Sequence, residues 1–186
     1  MQDEFEVTYL VKELPEGFFN VPHESKEILD IYIPATSEHA ILRIRKRGET
    51  YEITKKIPAH GTDSSHQIEN TIPLIEEEFA ELSQIQGKRV RKIRHYYSEN
   101  ETTFEIDVFQ DALYGLVLVD VEFTSNEEKA KFVAPAWFLA DVTQEKFVAG
   151  GVLCGKSYTD IHTDLARFGY TTAISPDSFC NVCILK

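Results

Sequence analysis

Charges placed two residues apart, inside segments that otherwise read as β-strands, constrain this chain more than any other feature. Glu4 and Glu6, Arg43 and Arg45, Lys92 and Arg94, and Asp120 and Glu122 are all i,i+2 pairs. Apolar residues hold the alternate positions: Phe5 and Val7, Leu42 and Ile44, Ile93, then Val119, Val121 and Phe123. Side chains alternate across a strand, so each pair shares one face, roughly 6.6 Å apart along it. Such faces suit the wet side of an open antiparallel sheet. They also suit the lumen of a closed barrel whose outside is covered by helices. A wet face commonly mixes Thr, Ser, Lys and Glu. Here two strands carry paired acids and two carry paired bases, which favours the barrel.

Composition narrows the chemistry. A chain of 186 residues with 42% hydrophobic and 27% charged content suits one globular domain with its own core. Its formal net charge of −12 argues against nucleic acid as a partner, which wants a basic surface. Bases enclosed in a lumen, with the acidic excess outside, would still hold an anion. Acids and bases converging there would keep cations and anions together, as a metal-bound phosphate requires. No apolar run approaches the ~20 residues of a membrane helix, and the acidic start Met1-Gln2-Asp3-Glu4 is unlike a secretion signal. Three cysteines, Cys154, Cys180 and Cys183, make no disulfide framework, so a cytoplasmic location is expected.

Periodicity places strands at 4–11, 41–46, 51–56, 67–73, 89–98, 102–109 and 116–124. Arg47-Gly48-Glu49 reads as a hairpin turn and 58–65 as a loop. Helices are expected at 75–85, 127–134 (capped by Ser125 or Asn126) and 157–168. Tyr51 and Ile53 mark the apolar face of their strand, so Glu52, Thr54 and Lys56 share the other and Lys55 points away. The same parity puts Glu105 and Asp107 inside, either as salt-bridge partners of the bases or as metal ligands.

In this order the segments resemble those of the CYTH, or triphosphate tunnel metalloenzyme, family. Glu4-Phe5-Glu6-Val7-Thr8-Tyr9-Leu10-Val11, with Leu14-Pro15, is similar to its opening strand. Leu42-Arg43-Ile44-Arg45, Ile53-Thr54-Lys55-Lys56 and Lys92-Ile93-Arg94 resemble its basic strands. Phe104-Glu105-Ile106-Asp107 and Asp120-Val121-Glu122 resemble later strands, and Pro135-Ala136-Trp137 with Asp141-Val142-Thr143 resembles the motif that follows them. The resemblance implies a mainly β, α+β fold: a closed antiparallel eight-stranded β-barrel, or tunnel, flanked by helices. It would span residues 1–169, with 170–186 a tail of unknown role. It further implies metal-dependent triphosphate hydrolysis with Mg²⁺ or Mn²⁺, on inorganic triphosphate, a nucleoside triphosphate or polyphosphate. Glu4, Glu6, Glu69, Asp120 and Glu122 would bind metal; Arg43, Arg45, Lys56, Lys92 and Arg94 would bind phosphate; Glu4, Glu6 and Lys56 would be catalytic.

Two departures favour an alternative. Thr8 stands where the family carries Lys, and Lys12 lies about 13 Å further along an extended strand. Around Gln67-Ile68-Glu69-Asn70-Thr71, Gln67 and Thr71 replace a base and an acid. A triphosphate-binding module with little or no turnover is therefore the second expectation, and class IV adenylyl cyclase chemistry a third. Cys180-Asn181-Val182-Cys183 is half of a zinc spacing with no second half.

Overall fold

The computed structural model describes residues 2–174; the Cys180/Cys183 pair lies outside them. Nine strands form one antiparallel sheet: β1 (Gln2–Val11), β2 (Glu24–Ile33), β3 (Leu42–Arg47), β4 (Thr50–Pro58), β5 (His66–Leu74), β6 (Lys88–Glu99), β7 (Thr102–Phe109), β8 (Val117–Phe123) and β9 (Phe138–Asp141). The spatial order is β5-β4-β3-β2-β6-β7-β8-β1-β9, and β5 also pairs with β1. That extra pairing closes β1 to β8 into the expected eight-stranded barrel. The edge of β1 away from β8 is divided. Gln2 to Phe5 pair with β5, and Tyr9 to Val11 pair with β9.

Helices occupy the outside and one end: α1 (Glu76–Leu82), α2 (Asn126–Lys131), α3 (Gly150–Leu153) and α4 (Tyr158–Ala166). Ser125 caps α2, its hydroxyl accepting from Glu128 N at 3.2 Å. α2 ends earlier than its periodicity suggests because Phe132 is already extended, φ −64° and ψ 133°, three residues before Pro135. α1 begins with the Glu78 carboxylate accepting from Ile75 N at 3.0 Å. Among the described residues no helix is long and apolar enough to cross a membrane.

Because the inside of the barrel is charged, the apolar cores lie elsewhere. One packs outside β1, β7 and β8, where Val119, Val121, Ile106 and Trp137 are buried. A second holds Ile31 and Ile44 under Phe79 of α1. The third fills the barrel end beneath Phe147, Leu153, Ile161 and Leu165. Gly150 and Gly151 let the segment at that end approach closely: a Cβ would collide with the Tyr32 hydroxyl and the Ala40 carbonyl respectively. Residues 170–174 pack on the barrel too, with Tyr170 and Ile174 buried. The Tyr170 hydroxyl donates to Gly115 O and accepts from Val117 N, both at 2.8 Å.

Two strands escape the periodicity reading, β2 and the four-residue β9. In β2, Ile31 is buried outward beneath α1, while Ile28, Asp30 and Tyr32 are buried on the other parity. A strand buried on both faces does not alternate.

Candidate active site in the barrel lumen

Strand parity delivers the charged pairs to one cavity of about 300 Å³, lined among others by Glu4, Arg43, Lys56, Lys92, Asp107 and Glu122. The metal- and phosphate-binding residues that the resemblance implies all line it, Glu6, Arg45, Glu69, Arg94 and Asp120 included, whereas Glu105 does not. The surroundings differ, and they divide these residues into three groups.

Glu4, Glu6 and Glu122 form the first. Each offers one carboxylate oxygen, and the three oxygens lie within 4.8 Å of one another. Glu6 and Glu122 sit directly opposite each other in the β1–β8 pair. Like charges so placed repel, and a hard divalent cation could be held among them.

Beside this cluster stands the second group. Lys56 Nζ donates to Glu4 Oε1 at 2.6 Å and lies 3.3 Å from Glu69 Oε2. Burial works to lower the Lys56 pKa, but Glu6, Glu4 and Glu69 outweigh it and raise the value, so the ammonium stays charged at neutral pH. Glu69 also accepts from the Thr71 hydroxyl at 2.6 Å. Despite burial, its carboxyl is held below the usual range by Lys56, that hydrogen bond and Arg43. Arg43 is held more loosely than Arg45 or Arg94. Its Nη2 is 4.0 Å from Glu69, and its buried Nε has no hydrogen-bond partner among the described residues. A buried guanidinium N–H left open is a costly vacancy that an anion would fill.

The third group is internally neutralised. Arg94 donates to Asp107 through Nε and Nη2, each at 2.7 Å, to Asp120 at 2.8 Å, and to Glu105. Lys92 donates to Asp107 as well. Glu105 and Asp107 are thus salt-bridge partners of the bases. Burial would raise the Asp107 pKa, yet Arg94 and Lys92 pull it down to about 2. Lys92 moves the other way: burial lowers its pKa, and Arg94 and Arg45 add to that against Asp107. Asp120 is raised to about 6 by burial and by Glu6, against the pull of Arg94. Neither Glu69 nor Asp120 belongs to the three-carboxylate cluster; each is already engaged by a base and a threonine. Lys12 is exposed and does not line the cavity.

Asp30 and Tyr32 of β2 also line the lumen, and the periodicity reading missed them. The signal was present: one acid inside the apolar run Ile28-Leu29-Asp30-Ile31-Tyr32-Ile33 demands a buried counter-charge. Arg45 supplies it.

No family model matches the chain. Over 145 residues it is 32% identical to an inorganic triphosphatase of Nitrosomonas europaea, a match covering 77% of this chain and 91% of that relative. A crystal structure of an inorganic triphosphatase superposes with a TM-score of 0.58 at 28% identity, covering 83% of this chain and 95% of that one. A Bacillus halodurans crystal structure, described as that of a candidate adenylate cyclase, shares the fold with a TM-score of 0.51 at 15% identity, covering 97% and 98%. Matched across nearly the whole length of its Nitrosomonas relative, the chain belongs to that inorganic triphosphatase family.

Proposed function

We propose that the chain is a cytoplasmic, metal-dependent triphosphatase of the CYTH type that hydrolyses inorganic triphosphate or a nucleoside triphosphate in the barrel lumen. One observation carries the reading: the Glu4, Glu6 and Glu122 oxygens converge within 4.8 Å beside Lys56 and the unpartnered Nε of Arg43. An acid cluster next to an open cation fits a metal and a phosphate together better than either alone.

The donor set is all carboxylate, which suits Mg²⁺ or Mn²⁺. Glu4, Glu6 and Glu122 would hold the ion, with Glu69 and Asp120 behind them. When bound, such an ion neutralises phosphate oxygens and acidifies a coordinated water. The other tasks fall to the chain itself. Arg43 and Lys56 grip the phosphates and stabilise charge that develops on the leaving phosphate chain as the phosphoryl group passes to water. Glu4 or Glu6 takes the proton of the attacking water. Lys92, Arg94 and Asp107 form a rigid wall that keeps the lumen in shape.

Phosphate release from tripolyphosphate and from ATP, with Mg²⁺, Mn²⁺ or EDTA, tests this for the wild type and Glu6→Ala. Metal-dependent release that disappears in the variant is the expected result. Absence of release under every condition rules out the enzyme. A second reading, triphosphate capture without turnover, is favoured by Thr8, which brings a hydroxyl instead of a cation to Asp120. Tight binding with no release would establish it.

A further inference from the structure

Two arginines on one face of β3 receive opposite treatment. Asp30 and Arg45 sit opposite each other in the β2–β3 pair. Asp30 is 2% exposed and Arg45 5%. Arg45 donates from Nε to Oδ1 at 2.6 Å and from Nη2 to Oδ2 at 2.8 Å. Only Nη1 is left over, 4.0 Å from Glu52. Arg43 has no such clamp: its Nε is unpartnered and Glu69 stands 4.0 Å away. Both arginines line the lumen.

We propose that Asp30 is a positioning residue that withholds the charge of Arg45 from the substrate, so that the lumen grips a phosphate chain through Arg43 and Lys56 and can let the products go. The proposal rests on the triphosphate reading of the site. In a lumen already lined with bases, another free guanidinium would tighten substrate and product alike. Uniform tightening of that kind does not speed chemistry, and it slows release. The charge balance agrees, because carboxylates outnumber bases along the lining. Asp30 contributes to that excess from β2, where it is the one carboxylate in the largely buried run 28–32.

The test is titration calorimetry of tripolyphosphate and pyrophosphate in excess Mg²⁺, together with kcat and KM. The proteins are the wild type, Asp30→Asn, and the neutral pair Asp30→Asn with Arg45→Gln. Asp30→Asn should bind both anions about tenfold more tightly, with kcat and KM falling together. A residue that only supports the fold would shift binding the other way. The neutral pair should bind within about twofold of wild type, because the charge removed was not reaching the substrate. Weaker or unchanged binding by a folded Asp30→Asn overturns the proposal. If that variant does not fold, the neutral pair decides alone: a loss of about tenfold or more shows that Arg45 holds phosphate directly, and overturns it. Wild type that binds no tripolyphosphate overturns the triphosphate reading and this role with it; failure of the variants against a binding wild type overturns only the role of Asp30.

Discussion

Thr8 and Asp120 face each other across the β1–β8 pair, and the Thr8 hydroxyl donates to Asp120 Oδ1 at 2.8 Å. Asp120 takes its other bond from Arg94 at 2.8 Å. A neutral donor thus stands where the resemblance leads one to expect a cation. Thr71, where an acid is expected, likewise donates its hydroxyl to Glu69 at 2.6 Å. Thr8 and Thr71 are thus both hydroxyls turned onto lumen carboxylates, which preserves hydrogen bonding while changing charge. Thr8→Lys would bring an ammonium opposite Asp120, on the strand that carries Glu4 and Glu6. It should raise kcat on tripolyphosphate by about tenfold, the worth of one added charge interaction of about 1.4 kcal/mol in the transition state. Unchanged turnover would show that the cation at this position is dispensable.

Arg43 and Arg94 separate binding from folding. Arg43→Gln removes a base with an unpartnered Nε, so the melting temperature should move little while KM for tripolyphosphate rises on the order of tenfold or more. Arg94→Gln leaves Asp107 and Asp120 buried without their main counter-ion. Its cost should be about 3–5 kcal/mol of stability. Urea unfolding beside steady-state kinetics distinguishes the two. Equal loss of stability in both variants would contradict the division drawn between them.

Much of this was legible in the chain because a strand writes its two faces into alternate positions. Glu4 and Glu6, Arg43 and Arg45, and Asp120 and Glu122 each keep strict parity, and parity is what delivers them to the lumen. The same rule placed Lys56 inside and Lys55 outside, as observed. What parity does not encode is who faces whom. That Asp107 neutralises Lys92 and Arg94, and that Glu6 opposes Glu122, depends on β6 lying beside β7 and β1 beside β8. β2 was hidden for a different reason. Buried Ile31 and buried Asp30 occupy opposite faces, so burial on both sides erased the alternation and took Asp30 and Tyr32 with it.

The opposition of Glu6 and Glu122 predicts a fold that responds to cations. Mn²⁺ or Mg²⁺ alone should raise the melting temperature by relieving repulsion among Glu4, Glu6 and Glu122. At about one hundred times its dissociation constant a ligand adds about 2.7 kcal/mol, which for a chain of this size is a rise of roughly 5–10 °C. Tripolyphosphate with the metal should add more, and EDTA should reverse both effects. Glu6→Ala should melt above the wild type in EDTA and respond less to metal. A wild type insensitive to millimolar metal would remove the basis for a cation at this cluster.

His95 gives the fold an acid-sensitive point outside the lumen. The ring is buried beside Phe18 and shares a 2.9 Å hydrogen bond between its Nδ1 and His23 Nε2. Burial first, then the neighbouring His23, push its pKa down to about 4, against a weak opposing pull from Asp107. Between about pH 6.5 and pH 4 the unfolded chain therefore binds a proton at His95 that the folded chain refuses. Stability rises with pH across that window and is lost as the solution is acidified. From pH 7 to pH 5 the loss is about 2 kcal/mol. His95→Gln, which keeps a hydrogen-bonding side chain without the titration, should lose correspondingly less over the same interval in urea unfolding with EDTA present. Asp120 runs in the opposite sense. Its carboxyl is raised to about 6, so the folded chain keeps a proton that the unfolded chain has released, and stability falls as pH rises from about 4 to about 6. Asp120→Asn should flatten that fall, and combining it with His95→Gln should leave a curve with neither slope. If the two single variants shift the profile in the same direction, at least one of the two assignments is wrong.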